Sequence, residues 1–232
     1  MKSQPEDLKD ALAWQNVSRL ALVTELERFT LFRQTVILLA EGSPAPVGRI
    51  AAGLGRSPGE VSDALRRQAD VEWDEAGNVV GFGLTLRPTR HRVLFSGRSM
   101  YSWCALDALI LPSLIGHRVE VQSACAATGA PVRAVVAQDG VEQLDPPEAV
   151  VSVALCGPGE GVRHSFCEDT NFFATPDVAN AWQGQHPGSV VLPVRRGWRL
   201  GMRLLGSARS KAKTYQDVKK ASKGPNERVS GE

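Results

Sequence analysis

Two thiols and one carboxyl group define the chemistry this chain could do: Cys104 and Asp107 in Tyr101-Ser-Trp-Cys-Ala-Leu-Asp107, and Cys167 in Ser165-Phe-Cys167. From Trp103 to Ile115 every side chain except Asp107 and Ser113 is apolar, cysteine or proline. A carboxylate in such a run is costly to bury unless it is paired or protonated. Cys104 lies three residues earlier, so on a helix the two share one face. A thiol beside a shielded acid can serve as a soft-metal ligand next to a proton donor.

Each cysteine also has a plainer reading. Cys104, expected in the first turn of a helix spanning Met100–Ile115, would have its thiol pKa lowered by the helix N-terminus; otherwise it is a small buried hydrophobe. Cys167 sits in the polar stretch His164–Thr170 and reads equally well as an exposed loop thiol. Cys125, in an alanine-rich turn, is expected to pack. Cys156 follows a strand and carries little functional weight. No pair has Cys-x-x-Cys spacing, and the four histidines (His91, His117, His164, His186) show no ligand spacing. Gly53-Leu-Gly55 lies between helices, so it is not a dinucleotide fingerprint.

The elements that must position these groups fall into two blocks and a tail. Residues 5–41 read as two or three helices, ended by Gly42-Ser-Pro-Ala-Pro46. A helix from Val47 to Leu54 is followed by Ser57-Pro58-Gly59-Glu60, a helix-start signature, and by a hairpin over Val71–Leu84 turning near Ala76–Asn78. The pattern is that of a winged helix-turn-helix over residues 1–86. Residues 87–206 read as a mixed α/β core: strands at Arg92–Phe95, Arg118–Gln122, Val132–Ala137, Ala149–Leu155 and Ser189–Leu192, the buried helix, a short helix over Val178–Gln185 and a last one over Trp198–Leu205. The fold class is therefore α+β with antiparallel strands. Residues 207–232 are rich in Lys, Ser, Gly and Pro and are expected to be a disordered basic tail.

Charge supports this division. The chain has 232 residues and a net charge of +2, but residues 1–85 and 86–194 each carry −3 and residues 195–232 carry +8. The helix-turn-helix region is thus acidic, its second helix setting Glu60 and Asp63 against Arg66 and Arg67, and a structural role is expected there rather than nucleic-acid contact. No apolar stretch approaches the roughly 18 residues of a membrane span. The N-terminus lacks the basic-then-apolar pattern of a signal peptide. A cytoplasmic protein with free thiols is expected.

The stretches Gly81–Leu86, Tyr101–Pro112, Ile115-Gly116, Ser123–Pro131 and Ser165-Phe-Cys167 with Phe172-Phe173, in that order, resemble the organomercurial (alkylmercury) lyase family. Trp-Cys-Ala-Leu-Asp and Cys-Ala-Ala-Thr-Gly-Ala-Pro are the specific motifs. The resemblance implies protonolysis of a carbon–mercury bond, giving a hydrocarbon and Hg(II). Cys104 and Cys167 would be mercury ligands, Asp107 the proton donor and contact to bound Hg(II), and Cys125 structural. The chain departs from the family in carrying Glu168 where some members have a second cysteine, and in Cys156 and the tail. Trp103, Leu106, Phe172 and Phe173 are candidates for an apolar substrate pocket. No cofactor is expected beyond solvent thiols that remove the product. The partners expected are an organomercury substrate, small thiols and a mercuric reductase as Hg(II) acceptor, with no membrane and a monomer or weak dimer. The rival readings are a metal-responsive winged-helix regulator, which would bind DNA, and a mercury or copper carrier, which would never turn over.

Overall fold

The computed structural model describes residues 5–18, 20, 26–154 and 162–222. Cys156 lies outside them. Helix α1 (Pro5–Val17) and α2 (Leu26–Leu39) precede the pair α3 (Val47–Leu54) and α4 (Pro58–Arg66). Gly55, left-handed at φ 62°, ends α3. Ser57 starts α4 with a complete capping box: its hydroxyl accepts from Glu60 N at 3.3 Å, and its own N–H donates to the Glu60 carboxylate at 3.0 Å. The wing follows as β1 (Glu72–Trp73) and β2 (Val79–Phe82), turned by Asp74, whose carboxylate accepts Asn78 N at 2.7 Å.

The wing is also one end of the main sheet. With β3 (Leu84–Thr85), β4 (His91–Phe95), β5 (Arg98–Ser102), β6 (Val119–Ala124), β7 (Pro131–Val136) and β8 (Val141–Asp145), it forms an eight-stranded antiparallel sheet in the order β1-β2-β3-β5-β4-β6-β7-β8. Hydrogen bonding therefore continues across residue 86, through β2–β3 and β3–β5. A second sheet, β10-β9-β11, is built from Val150–Ala154 (β9), Phe172–Phe173 (β10) and Ser189–Pro193 (β11). Helix α6 (Pro176–Gln183) packs on it.

Helix α5 (Ala105–Ile115) has no polar face. Eight of its residues, from Ala105 to Leu114, are buried, and a helix apolar all round must be covered on every side. It packs between strands β4, β5 and β6 and helices α2 and α7 (Val194–Ser222). Gly201 of α7 permits the approach: a Cβ there would collide with Ile110.

Two expectations are corrected. The helix expected from Met100 starts at Ala105, because Met100–Ser102 pair with β4 as the end of β5, Met100 opposite Val93 and Ser102 opposite His91. The disorder expected from Ser207 is replaced, as far as Ser222, by the continuation of α7. Leu204, Leu205 and Ala208 are buried, and Arg209 donates to the Ser113 carbonyl at 2.7 Å, which ties this stretch to the end of α5. Strand β8, mostly polar, has no counterpart in the sequence reading.

Candidate functional site

Cys104 is the N-cap of α5, with an extended backbone at φ −142°, ψ 173°. Three bonds hold it there. Trp103 N donates to Gly83 O at 2.8 Å, Ser102 Oγ donates to Cys104 O at 3.0 Å, and Ala105 N donates to Thr170 O at 2.9 Å. The last of these joins the start of α5 to the segment that carries the second thiol.

Cys167 closes a π-turn, Arg163–Cys167, in which Glu168 N reaches back to Arg163 O at 3.2 Å. Such wide turns recur at functional sites. This one directs Phe166 and Cys167 inward although their neighbours are polar; both are buried. The exposed-thiol reading of Cys167 is thus excluded. Downstream, Thr170 N donates to Cys167 O at 3.2 Å, and the Ser152 hydroxyl ties Asp169 O (2.6 Å) and Asn171 N (2.9 Å) to β9.

The three groups meet. Asp107 Oδ2 lies 3.1 Å from Cys104 Sγ and 3.8 Å from Cys167 Sγ, and the three ligand atoms all lie within 4.8 Å of one another. Asp107 N donates to Cys104 Sγ at 3.4 Å. No other His, Cys, Asp or Glu group of metal-binding spacing occurs among the described residues.

Burial sets the electrostatics. It pushes the Asp107 carboxyl up to about 6 from 3.8, the surrounding hydrogen bonds only partly opposing it. It also pushes the Cys104 thiol up. This corrects the expectation of a helix-lowered thiol: desolvation of a fully enclosed sulfur outweighs the helix terminus. Cys167 stands well above the ordinary thiol range, because the Cys104 sulfur hydrogen-bonds to it and because it is buried. At rest the cluster is therefore two neutral thiols around a carboxyl poised near neutrality.

Asp107 retains some accessible surface, and it borders a cavity of about 10 Å³ lined by Phe32, Val36, Gly83, Leu84, Ser102, Leu111 and Leu114. None of the four expected pocket residues lines it. Leu106, one position before Asp107, turns toward Gly201 of α7. Phe172 and Phe173 are strand neighbours and face opposite ways, Phe172 against His91 and Phe173 against Trp182. Trp103 adjoins Cys104 and packs on Phe82 and on the Arg163 guanidinium, 5.2 Å from its ring centre. The wall of this small cavity comes from α2, Gly83, the adjoining ends of β3 and β5, and α5. The signal for it was Gly81-Phe-Gly83: Gly83 has φ +77°, and a Cβ there would sit 2.5 Å from Phe32 and 3.5 Å from Asp107 Oδ1.

Cys125 is buried in a turn closed by Gly129 N to Cys125 O at 2.9 Å and stands outside the cluster. No described helix is long and apolar enough to cross a membrane.

A family model described as alkylmercury lyase matches residues 84–206, and one described as the helix-turn-helix domain of alkylmercury lyase matches residues 19–83. The alkylmercury lyase of Staphylococcus epidermidis is 46% identical over 174 residues, covering 75% of this chain and 81% of that protein. That of Streptomyces lividans is 43% identical over 171 residues, covering 74% and 80%. Among solved structures, the mercury-bound form of MerB2 superposes with a TM-score of 0.65 at 21% identity, over 80% of this chain and 99% of that one, a likeness of fold.

Proposed function

The chain belongs to the alkylmercury lyase family, and from that premise we propose that Cys104, Asp107 and Cys167 carry out protonolysis of the carbon–mercury bond. The observation that carries this reading is that both sulfurs lie within hydrogen-bonding reach of one carboxylate oxygen, Asp107 Oδ2.

Mercury is soft, and thiolate is the matching side-chain ligand. A neutral buried thiol must lose its proton as R–Hg⁺ arrives. Asp107, at 3.1 Å and with its carboxyl raised to about 6, takes the Cys104 proton as the sulfur–mercury bond forms and the original counter-ligand leaves. Cys167 then adds to the same metal and increases electron density on the carbon. Asp107 returns the proton to that carbon as the carbon–mercury bond breaks. The products are R–H and Hg(II) held by two thiolates with Asp107 alongside. One thiol proton leaves in the hydrocarbon and the other in solvent. No organic cofactor enters this scheme. The bis-thiolate mercury needs a competing thiol for its release, for which small thiols or the thiols of a mercuric reductase are the proposed acceptors. The acidic helix-turn-helix region supports a structural role rather than DNA binding.

The test is benzene release from phenylmercury with excess thiol. Wild type is expected to turn over repeatedly, Cys104→Ala not at all, and Asp107→Ala to take up mercury without releasing benzene. Unchanged turnover in Asp107→Ala would remove the acid from the mechanism, and stoichiometric mercury uptake without benzene from wild type would make the protein a carrier.

A further inference from the structure

The turn that carries Cys167 does not hold itself. Backbone N–H groups at the start of a helical turn have no partner within it. Here Val162 N and Arg163 N donate to Asp70, to Oδ2 at 3.0 Å and Oδ1 at 3.3 Å. Asp70 lies more than ninety residues earlier in the chain, between α4 and β1, and is buried. Its carboxylate is fixed from behind by Arg28 of α2, at 2.5 Å with both side chains nearly enclosed, and Arg28 is itself bonded to Gln68. A second tie runs beside the first. The Arg163 guanidinium pairs with Glu72 of β1, and Glu72 accepts the Thr85 hydroxyl at 2.5 Å. Gly81 leaves the space that the Glu72 carboxylate occupies. Arg163 also covers the ring of Trp103, the residue before Cys104.

These contacts join three parts of the chain at one point: the helix-turn-helix region, the turn bearing Cys167 and the residue next to Cys104. A buried carboxylate that accepts two backbone N–H bonds and one guanidinium has a fixed orientation, and it transmits that orientation to the turn it caps. We infer that Asp70 is a positioning residue for the second thiol: by capping the π-turn from the helix-turn-helix side, it sets the approach of Cys167 to Asp107 and Cys104. The inference rests on the proposed role of Cys167 as second ligand. It gives the N-terminal region a chemical consequence, since the second mercury ligand is placed by residues outside its own segment.

The test uses the full chain and two readouts, benzene release from phenylmercury and release of preloaded Hg(II) to excess glutathione. Asp70→Asn retains shape but loses the charge and one acceptor. It is expected to lower the benzene rate about 10- to 100-fold, the scale on which small misplacements of reacting groups act, and to speed Hg(II) release about tenfold or more. In a Cys167→Ala background, where Cys104 still holds mercury, the same substitution is expected to leave Hg(II) release unchanged, because a residue acting only through Cys167 has nothing left to place. Equal acceleration in both backgrounds would make Asp70 general scaffold and overturn the inference, as would wild-type behaviour of Asp70→Asn. Should the unpaired Arg28 charge prevent folding, the paired variant Arg28→Gln with Asp70→Asn takes its place with the same expectations. If Cys167→Ala alone neither slows benzene release nor speeds mercury release, the second-ligand reading fails first. A normal Cys167→Ala defect with no effect of Asp70→Asn sinks only the role of Asp70.

Discussion

Cys104 and Asp107 are bonded twice: the Cys104 sulfur caps the helix by accepting the Asp107 amide N–H at 3.4 Å and, as a thiol, donates to the Asp107 carboxylate at 3.1 Å. The spacing is that of a capping box, N-cap to third helical residue, with sulfur in place of the usual hydroxyl. The local device that starts α5 is also the one that pairs a thiol with a buried acid.

Cap and ligand can be separated by substitution. Serine is the better cap, but its hard oxygen does not match mercury. Cys104→Ser is therefore expected to keep wild-type stability, within about 0.5 kcal/mol, and to lose benzene release entirely. Cys104→Ala removes both functions and should cost about 1 kcal/mol of stability besides. Urea unfolding of the three proteins, alongside the benzene assay, checks this. A Cys104→Ser variant as unstable as Cys104→Ala would show that the sulfur is no cap.

The raised carboxyl of Asp107 makes a prediction about stability against pH. Its folded value of about 6 lies above the unfolded 3.8, so the folded state binds the proton more tightly. The stability that this proton supplies is complete below about pH 4 and is lost as pH rises through about 6, with no further change above. The difference between the two values corresponds to about 3 kcal/mol at most. Asparagine does not titrate. Asp107→Asn should thus gain on wild type between pH 4 and pH 6 and hold that gain at pH 8, while releasing no benzene. Urea midpoints at pH 4, 5, 6 and 8 measure the difference, and a gap that does not change with pH would place the carboxyl at its ordinary value.

Cys125 provides the contrast. It is buried in its turn and stands apart from the cluster. Cys125→Ala should turn over phenylmercury at the wild-type rate and lose about 1 kcal/mol through the small void it leaves. A loss of turnover with an unchanged melting point would assign this thiol to the chemistry instead.

What the sequence disclosed follows from how local each signal is. The acid in an apolar run marked Asp107, and its distance from Cys104 is a helix-face relation within four residues. The Ser57–Glu60 box and the turn at Asn78 are equally local, and both are present. The start of α5 is hard to place because Met100 and Tyr101 extend the apolar and aromatic character of the helix, although Met100 and Ser102 alternate inward as strand residues do against β4. The inward face of Cys167 was hidden because a π-turn shifts the angular position of every residue in it, so its polar neighbours did not report its burial. Asp70, Glu72 and Arg28 gave no signal at all. Each is an ordinary charged residue in sequence, and only the chain's return some ninety residues later provides their partners.

The close approach at Gly83 makes the last prediction. Gly83 is left-handed at φ +77°, its carbonyl accepts Trp103 N at 2.8 Å, and a Cβ on it would sit 2.5 Å from Phe32 Cε2 and 3.1 Å from Cζ. Phe32 is buried and packed edge-on to Phe82, with centroids 5.4 Å apart, so it has little freedom to withdraw. Gly83→Ala therefore combines about 1 kcal/mol of left-handed strain with a steric conflict, together about 3 kcal/mol. Whatever backbone shift relieves the conflict passes through Trp103 to Cys104 and past Asp107 Oδ1, 3.5 Å from the added carbon. The benzene rate should fall while uptake of one equivalent of phenylmercury by Cys104 persists. Shortening the obstructing ring separates the two costs: Phe32→Leu combined with Gly83→Ala should recover the steric part of the stability and leave the left-handed part. A double variant no more stable than Gly83→Ala would show that the backbone conformation, not the contact with Phe32, is what requires glycine beside the acid.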